Sequence, residues 1–186
     1  AFAWLSVLTG QSVAELAAAA AAEKAAARAS SASAASALSQ PLLLDFLNGS
    51  RSPYNDGMLQ ASASGLTLGT TPASLYNAIA DGLACGTRGM VDAFGDARDA
   101  ASGDVAPIAI ERVIAAGGIA RSAPAYVQTL ADALQRQIEI SPVEQASAQG
   151  AAILGAVAAG VFPDARAAVG AMTPTPPGGV CVVRPD

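Results

Sequence analysis

Histidine is absent from the 186 residues. That one absence excludes Ser-His-Asp and Cys-His nucleophilic chemistry and any His-ligated zinc site. The two cysteines, Cys85 and Cys181, are far apart and form no CxxC pair, which reads as two unpaired thiols in a reducing cytosol. Basic residues are few: 10 Lys+Arg against 15 Asp+Glu give a net charge of -5, and Lys24 is the sole lysine. With no cationic cluster to meet phosphates, nucleic-acid binding is excluded. Both common nucleotide motifs are missing, since there is no GxxxxGK[ST] and no GxGxxG at a strand end. Long apolar runs are missing too. "GAAILGAVAAGVF" at 150–162 is shorter than the roughly 18 residues a bilayer requires, and no targeting segment is visible, so no membrane partner is expected. "NGS" at 48–50 matches a glycosylation acceptor, but without a secretory signal it carries no weight.

What remains is apolar and small. Hydrophobic residues make up 52% of the chain, much of it alanine, while aromatics supply only 4%. One ordinary domain fits this length, with helices packed tightly on a sheet in place of a large aromatic core. Residues 1–10, "AFAWLSVLTG", are apolar with no cap or polar lead; the expectation is a chain cut from something longer. Ser12 and Glu15 have capping-box spacing, and the alanine-rich stretch 14–29 behind them is a strong helix former. The low-complexity segment 14–40 ends in "SSASAASALSQ", which reads as a linker.

Turn pairs follow at Asn48-Gly49, Ser52-Pro53 and Asp56-Gly57. Thr71-Pro72 should start a long helix, with Thr71 as N-cap and Pro72 in the first turn, reaching Phe94. Gly82, Gly86 and Gly89 lie inside it. Each costs up to ~1 kcal/mol relative to alanine, so a neighbour is expected to press closely on that face. Beyond a polar loop at 95–107, the pattern gives strand 110–115, a Gly pair, helix 123–135, strand 137–141 and helix 143–160. Ser141 and Glu144 repeat the capping-box spacing. This alternation predicts an α/β fold with a parallel strand pair. The tail "TPTPPGGVCVVRPD" is rich in Pro and Gly, with one short β-like run.

Gly117-Gly118 is the stretch with most chemical promise. A strand ending in two glycines before a helix lets a ligand approach the backbone, and free N–H groups at the helix start favour phosphate. A tight β–α turn with glycine at positive φ satisfies the same pattern. On the ligand reading, Gly118→Val blocks the approach and disfavours positive φ. Small residues Gly150, Ala151 and Ala152 in the next helix would let a flat ring lie against the backbone; close helix–sheet packing would equally use them.

These segments together resemble the C-terminal domain of the FGGY carbohydrate kinases. The residues that carry the likeness are Gly117-Gly118, Gln128, Ala131-Asp132, Leu134, Glu144, Gly150-Ala151-Ala152, Ala156 and Gly160, preceded by "LLDFLNGSRSP" and by the long helix after "GLTLGTTP". Within the family, "GGIAR", "DFLNG" and "GAAILGAVAAG" resemble ribulokinases of the L-ribulokinase type. The resemblance implies a ribonuclease-H-like, actin-like ATPase fold, incomplete at both ends, in which residues 1–186 form the C-terminal, nucleotide-binding domain. It implies ATP and Mg2+ as cofactors, a ketopentose substrate held by a preceding domain and a cytoplasmic setting; a homo-oligomer is compatible with it. Gly117 and Gly118 would face the nucleotide phosphates and ribose. Gln149 and Gly150 would border the adenine. Ser122 stands where relatives carry Asn, and a serine hydroxyl reaches less far than a carboxamide. Asn48 and Arg51 would sit near the interdomain cleft, Arg51 serving equally well as a surface cation. No catalytic residue and no metal ligand is assigned, because the family's catalytic aspartate, sugar-binding acid and phosphate hairpins are expected upstream of Ala1. The rival readings are D-ribulokinase or xylulokinase of the same family and a noncatalytic actin-like scaffold domain.

Overall fold

The computed structural model describes residues 1–29, 40–52, 54–95, 108–174 and 181–186. The linker expected before Gln40, Pro53 of the Ser52-Pro53 turn, most of the 95–107 loop and the Pro/Gly-rich part of the tail lie outside the described residues.

Two α-helices open the chain, α1 (Phe2–Thr9) and α2 (Val13–Ala29). Gly10, at φ 70°, closes α1, and its N–H bonds the Ser6 carbonyl. The capping box at the start of α2 forms as expected: Ser12 Oγ accepts from the Glu15 N–H at 3.2 Å, and Glu15 Oε2 accepts from the Ser12 N–H at 2.8 Å. These bonds favour the ionised carboxyl, so Ser12 holds Glu15 below the usual carboxylate range. Alanine makes α2 helical, but only Leu16 and Ala20 are buried. Polar contacts help seat it: Lys24 Nζ donates at 2.9 Å both to Asp81 Oδ1 and to Thr129 Oγ1.

A short antiparallel pair comes next, β1 (Leu42–Leu44) with β2 (Ser62–Ser64), in the register Leu43↔Ala63. The 24-residue helix α3 (Pro72–Gly95) is the hub of the molecule. Thr71 caps it as expected, accepting from the Ser74 N–H at 2.9 Å, while Ser74 Oγ accepts from the Thr71 N–H at 2.9 Å. One side of α3 builds a core with α1, α2 and β1 around Leu5, Leu16, Leu43, Tyr76 and Ile79. Phe2 stacks on Tyr76 with ring centroids 4.4 Å apart.

Close pressure on the helix glycines holds for Gly82 alone. A Cβ there would run into the Leu43 carbonyl oxygen, whereas a Cβ on Gly86 or Gly89 would meet nothing within 4 Å. Those two face open space, which corrects the expectation for them.

The second half is the α/β unit. Its elements are β3 (Val113–Ala115), α4 (Gly118–Ser122), α5 (Pro124–Leu134), β4 (Ile138–Ile140), α6 (Ala146–Ala158), α7 (Ala165–Met172) and β5 (Cys181–Val183). β3 and β4 are parallel with Ile114 opposite Glu139, and β5 adds antiparallel to β4, giving the order β3-β4-β5. Val127, Ala131, Leu134 and Ile138 form the core between α5 and the sheet. Arg112 and Glu139 pair across β3 and β4 through two bonds of 2.5 and 2.9 Å.

The second capping box does not form. Ser141 Oγ accepts from the Val143 N–H in a local turn, the Glu144 carboxylate goes to Arg121, and α6 starts at Ala146 behind Gln145, with no side-chain cap. Among the described residues no single helix is long and apolar enough to cross a membrane; α1 and α2 pass together by composition but meet at 98° and bury Leu5, Leu16 and Ala20 in the core.

Candidate functional site

Gly117 ends the β3 segment at φ 85° and ψ -175°. That region is open essentially to glycine alone. Gly118 is already the first residue of α4 and has no positive φ. The conformational argument attached to Gly118 therefore belongs to Gly117. A Cβ on either glycine would meet nothing within 4 Å, so backbone shape at Gly117, not crowding, is what requires glycine.

Open space in front of the pair continues into a cavity of about 450 Å³, lined by Ala116, Gly117, Gly118 and Arg121 on one side and by Glu144 to Ser147 on the other. The parallel crossover makes this meeting: β3 and β4 lie side by side, so the segments leaving their C-terminal ends face each other. In such sheets ligands bind outside the carboxyl ends of the strands. The first turn of α6 has no side-chain cap, which leaves its N–H groups for a ligand or solvent. Arg121 crosses between the two sides, donating to the Pro142 carbonyl at 2.7 Å and to Glu144 Oε1 at 3.4 Å.

Other predicted residues are placed differently. Ser122 is exposed at the end of α4 and does not line this cavity. Gln149 donates from Nε2 to the Met172 carbonyl at 2.7 Å, tying α6 to α7. Gly150 follows it on α6, and a Cβ there would meet nothing within 4 Å. Arg121 was missed as a cavity residue, and the helix-start contact, expected around Gln149 and Gly150, falls at Gln145 to Ser147; "GGIAR" contains the arginine, but its reach to Pro142 and Glu144 depends on the crossover.

Arg51 and Asn48 border neighbouring hollows that share Phe46 and Gly49. Arg51 borders a cavity of about 620 Å³ with Asp45, Phe46, Tyr54, Gly86 and Gly89. Asn48 borders a separate hollow of about 360 Å³ beside Gly57 and Met58. Next to them, Ser50 and Asp56 exchange paired backbone bonds of 2.8 Å. Gly49 there has φ 66° and a Cβ would come within 2.8 Å of Gly57 Cα, so the Asn48-Gly49 turn requires its glycine. Burial pushes the Asp45 carboxyl above its ordinary range. Among the described residues no group of three or more His, Cys, Asp or Glu side chains could hold a metal ion.

Comparison with known proteins agrees with this architecture. Curated ribulokinases match most of the chain: that of Vibrio parahaemolyticus is 36% identical over 132 residues, covering 71% of this chain and 22% of the relative. That of Bacillus licheniformis is 41% identical over 119 residues, covering 64% and 20%. The chain thus spans about a fifth of the length of these relatives. Among solved structures, a ligand-bound xylulose kinase from Lactobacillus acidophilus superposes with a TM-score of 0.67 at 18% identity, covering all of this chain and 33% of that one. A xylulose kinase from Rhodospirillum rubrum gives 0.65 at 22% identity with the same coverage. At such identities these establish the fold, the actin-like ATPase type expected from the sequence. The model of the FGGY family of carbohydrate kinases, C-terminal domain, matches residues 1–159, and the chain belongs to that family.

Proposed function

We propose that this chain forms the nucleotide-binding wall of an ATP-dependent ribulokinase-type sugar kinase, which transfers a phosphoryl group to a ketopentose hydroxyl, L-ribulose first. The observation that carries the nucleotide part is the cavity shared by Gly117-Gly118 and the uncapped start of α6. It fits the ligand class: bare backbone at Gly117, free N–H groups at a helix start and one guanidinium suit a polyphosphate. The adenine is proposed to extend along α6 towards Gly150, where the helix surface has no side chain. Ser122, exposed at the end of α4 and outside the cavity lining, is proposed as a ribose-side contact from the family resemblance alone.

ATP supplies the phosphoryl group, and Mg2+ is proposed to arrive with it, held by phosphate oxygens and water. This chain's residues bind and orient. Phosphoryl transfer also needs a group that accepts the sugar hydroxyl proton. Glu144 is the carboxylate lining the cavity; it is 74% exposed and paired with Arg121, so we assign it no such role. The 186-residue chain by itself is proposed to be inactive towards sugars, and the sugar preference to reside in the preceding domain. Support for L-ribulose is kinship with the ribulokinases, not geometry.

An ADP-release assay of this chain with Mg-ATP and L-ribulose, D-ribulose, D-xylulose or glycerol tests the division of labour. The expected result is no sugar-dependent turnover above background. Turnover with any of these sugars would place a complete active site within the 186 residues and overturn the proposal.

A further inference from the structure

Arg121 is the cation lining the cavity at the Gly pair, and Glu144 is the anion. The two bonds made by the guanidinium are unequal. Its Nη2 donates to the Pro142 carbonyl at 2.7 Å, a well-formed bond, while its Nη1 reaches Glu144 Oε1 only at 3.4 Å. The side chains of Arg121 and Glu144 are 42% and 74% exposed. An exposed pair at that separation contributes little and exchanges readily for a better acceptor. A phosphate is such an acceptor, because its oxygens take the planar guanidinium through two parallel bonds.

Sequence position gives the residue its reach. Arg121 lies three residues beyond Gly118, one turn along α4, so its Cβ stands on the same side of that helix as the glycine. The Pro142 carbonyl holds the other edge of the guanidinium beneath the α6 start. The group is thereby fixed on one side and replaceable on the other.

Resting on the nucleotide reading above, we propose that Arg121 is a phosphate-binding residue that exchanges Glu144 for a nucleotide phosphate oxygen, with Glu144 acting as a built-in competitor. In the free protein Glu144 neutralises the guanidinium; with a di- or triphosphate bound, Glu144 turns to solvent and the Pro142 bond persists. No covalent bond changes in this exchange. Arg121 thus discriminates the phosphorylated nucleotide from the bare nucleoside.

Calorimetric titration of the 186-residue chain with ADP and, separately, with adenosine tests it, using wild type, Arg121→Ala, Arg121→Lys and Glu144→Gln, each checked for folding by circular dichroism. The expected result is a roughly tenfold loss of ADP affinity in Arg121→Ala with adenosine unchanged, partial retention in Arg121→Lys, and tighter ADP binding in Glu144→Gln. Equal losses for ADP and adenosine would make Arg121 a structural clasp only and overturn the proposal. So would weaker or unchanged ADP binding in Glu144→Gln, a surface variant that keeps the proposal testable where Arg121→Ala fails to fold. Absence of ADP binding in wild type would instead remove the nucleotide reading on which the exchange rests.

Discussion

The Gln128 side-chain amide donates to Asp132 Oδ1 at 2.9 Å, one turn along α5, and the same nitrogen reaches the Arg184 carbonyl at 2.8 Å. Asp132 Oδ1 also accepts from the Asp186 N–H at 3.0 Å. Gln128 and Asp132, two residues of the "Q–x–x–AD–x–L" pattern, thus fasten the chain leaving β5 to the helix, while Ala131 and Leu134 of the same pattern are core residues. This part of the family pattern is architectural. Gln128→Ala should lower stability by about 1 kcal/mol for the lost bonds, roughly 2–4 °C in the thermal midpoint of a chain this long. Its ADP affinity should match wild type. Thermal unfolding followed by circular dichroism, beside an ADP titration, checks both expectations.

The glycines of α3 make a sharper comparison. Gly82→Ala drives a methyl group into the Leu43 carbonyl oxygen, and relief requires β1 to move off the helix. A loss of about 1–3 kcal/mol is expected. Gly86→Ala adds a methyl group to open space and should stabilise by ~0.5–1 kcal/mol through helix propensity. Urea unfolding of the two variants should move the midpoints in opposite directions.

Arg112 and Glu139 define an acid limb. The bonds from Arg112 hold the Glu139 carboxyl below its ordinary range. An acid with a lowered folded pKa contributes stability that is fully present above the unfolded value and is lost as pH falls through the folded one. Stability should therefore decline below the ordinary glutamate range, and Arg112→Ala should flatten that decline. Unfolding midpoints measured from pH 7 down to pH 3 in both proteins check the slope.

Local signals were legible in the sequence wherever the partner was also local. Ser12 with Glu15 and Thr71 with Pro72 set helix starts correctly, because capping is settled within four residues. Ser141 with Glu144 has the same spacing and fails: Ser141 Oγ accepts from the Val143 N–H in a local turn, and the helix starts only at Ala146. The parallel pair β3 and β4 followed from the strand–helix–strand alternation, while the pairing of β5 with β4 joins strands some forty residues apart and had no local mark. The Gly pair was visible as the break between strand and helix, but only backbone geometry shows that Gly117, not Gly118, carries the positive φ. Gly82, Gly86 and Gly89 look alike in the sequence; what separates them is where β1 crosses α3.

The central proposal is that a nucleotide approaches the backbone whose shape Gly117 sets. Titrating ADP into wild type and into Gly117→Val, with folding of both verified by thermal unfolding, tests this most directly. Valine is excluded from φ near 85°, so the turn must reshape and close the path into the cavity. The account predicts measurable ADP binding in wild type and at least a tenfold loss in a folded Gly117→Val protein. Equal ADP affinity in the two folded proteins, or no ADP binding in wild type, would contradict it.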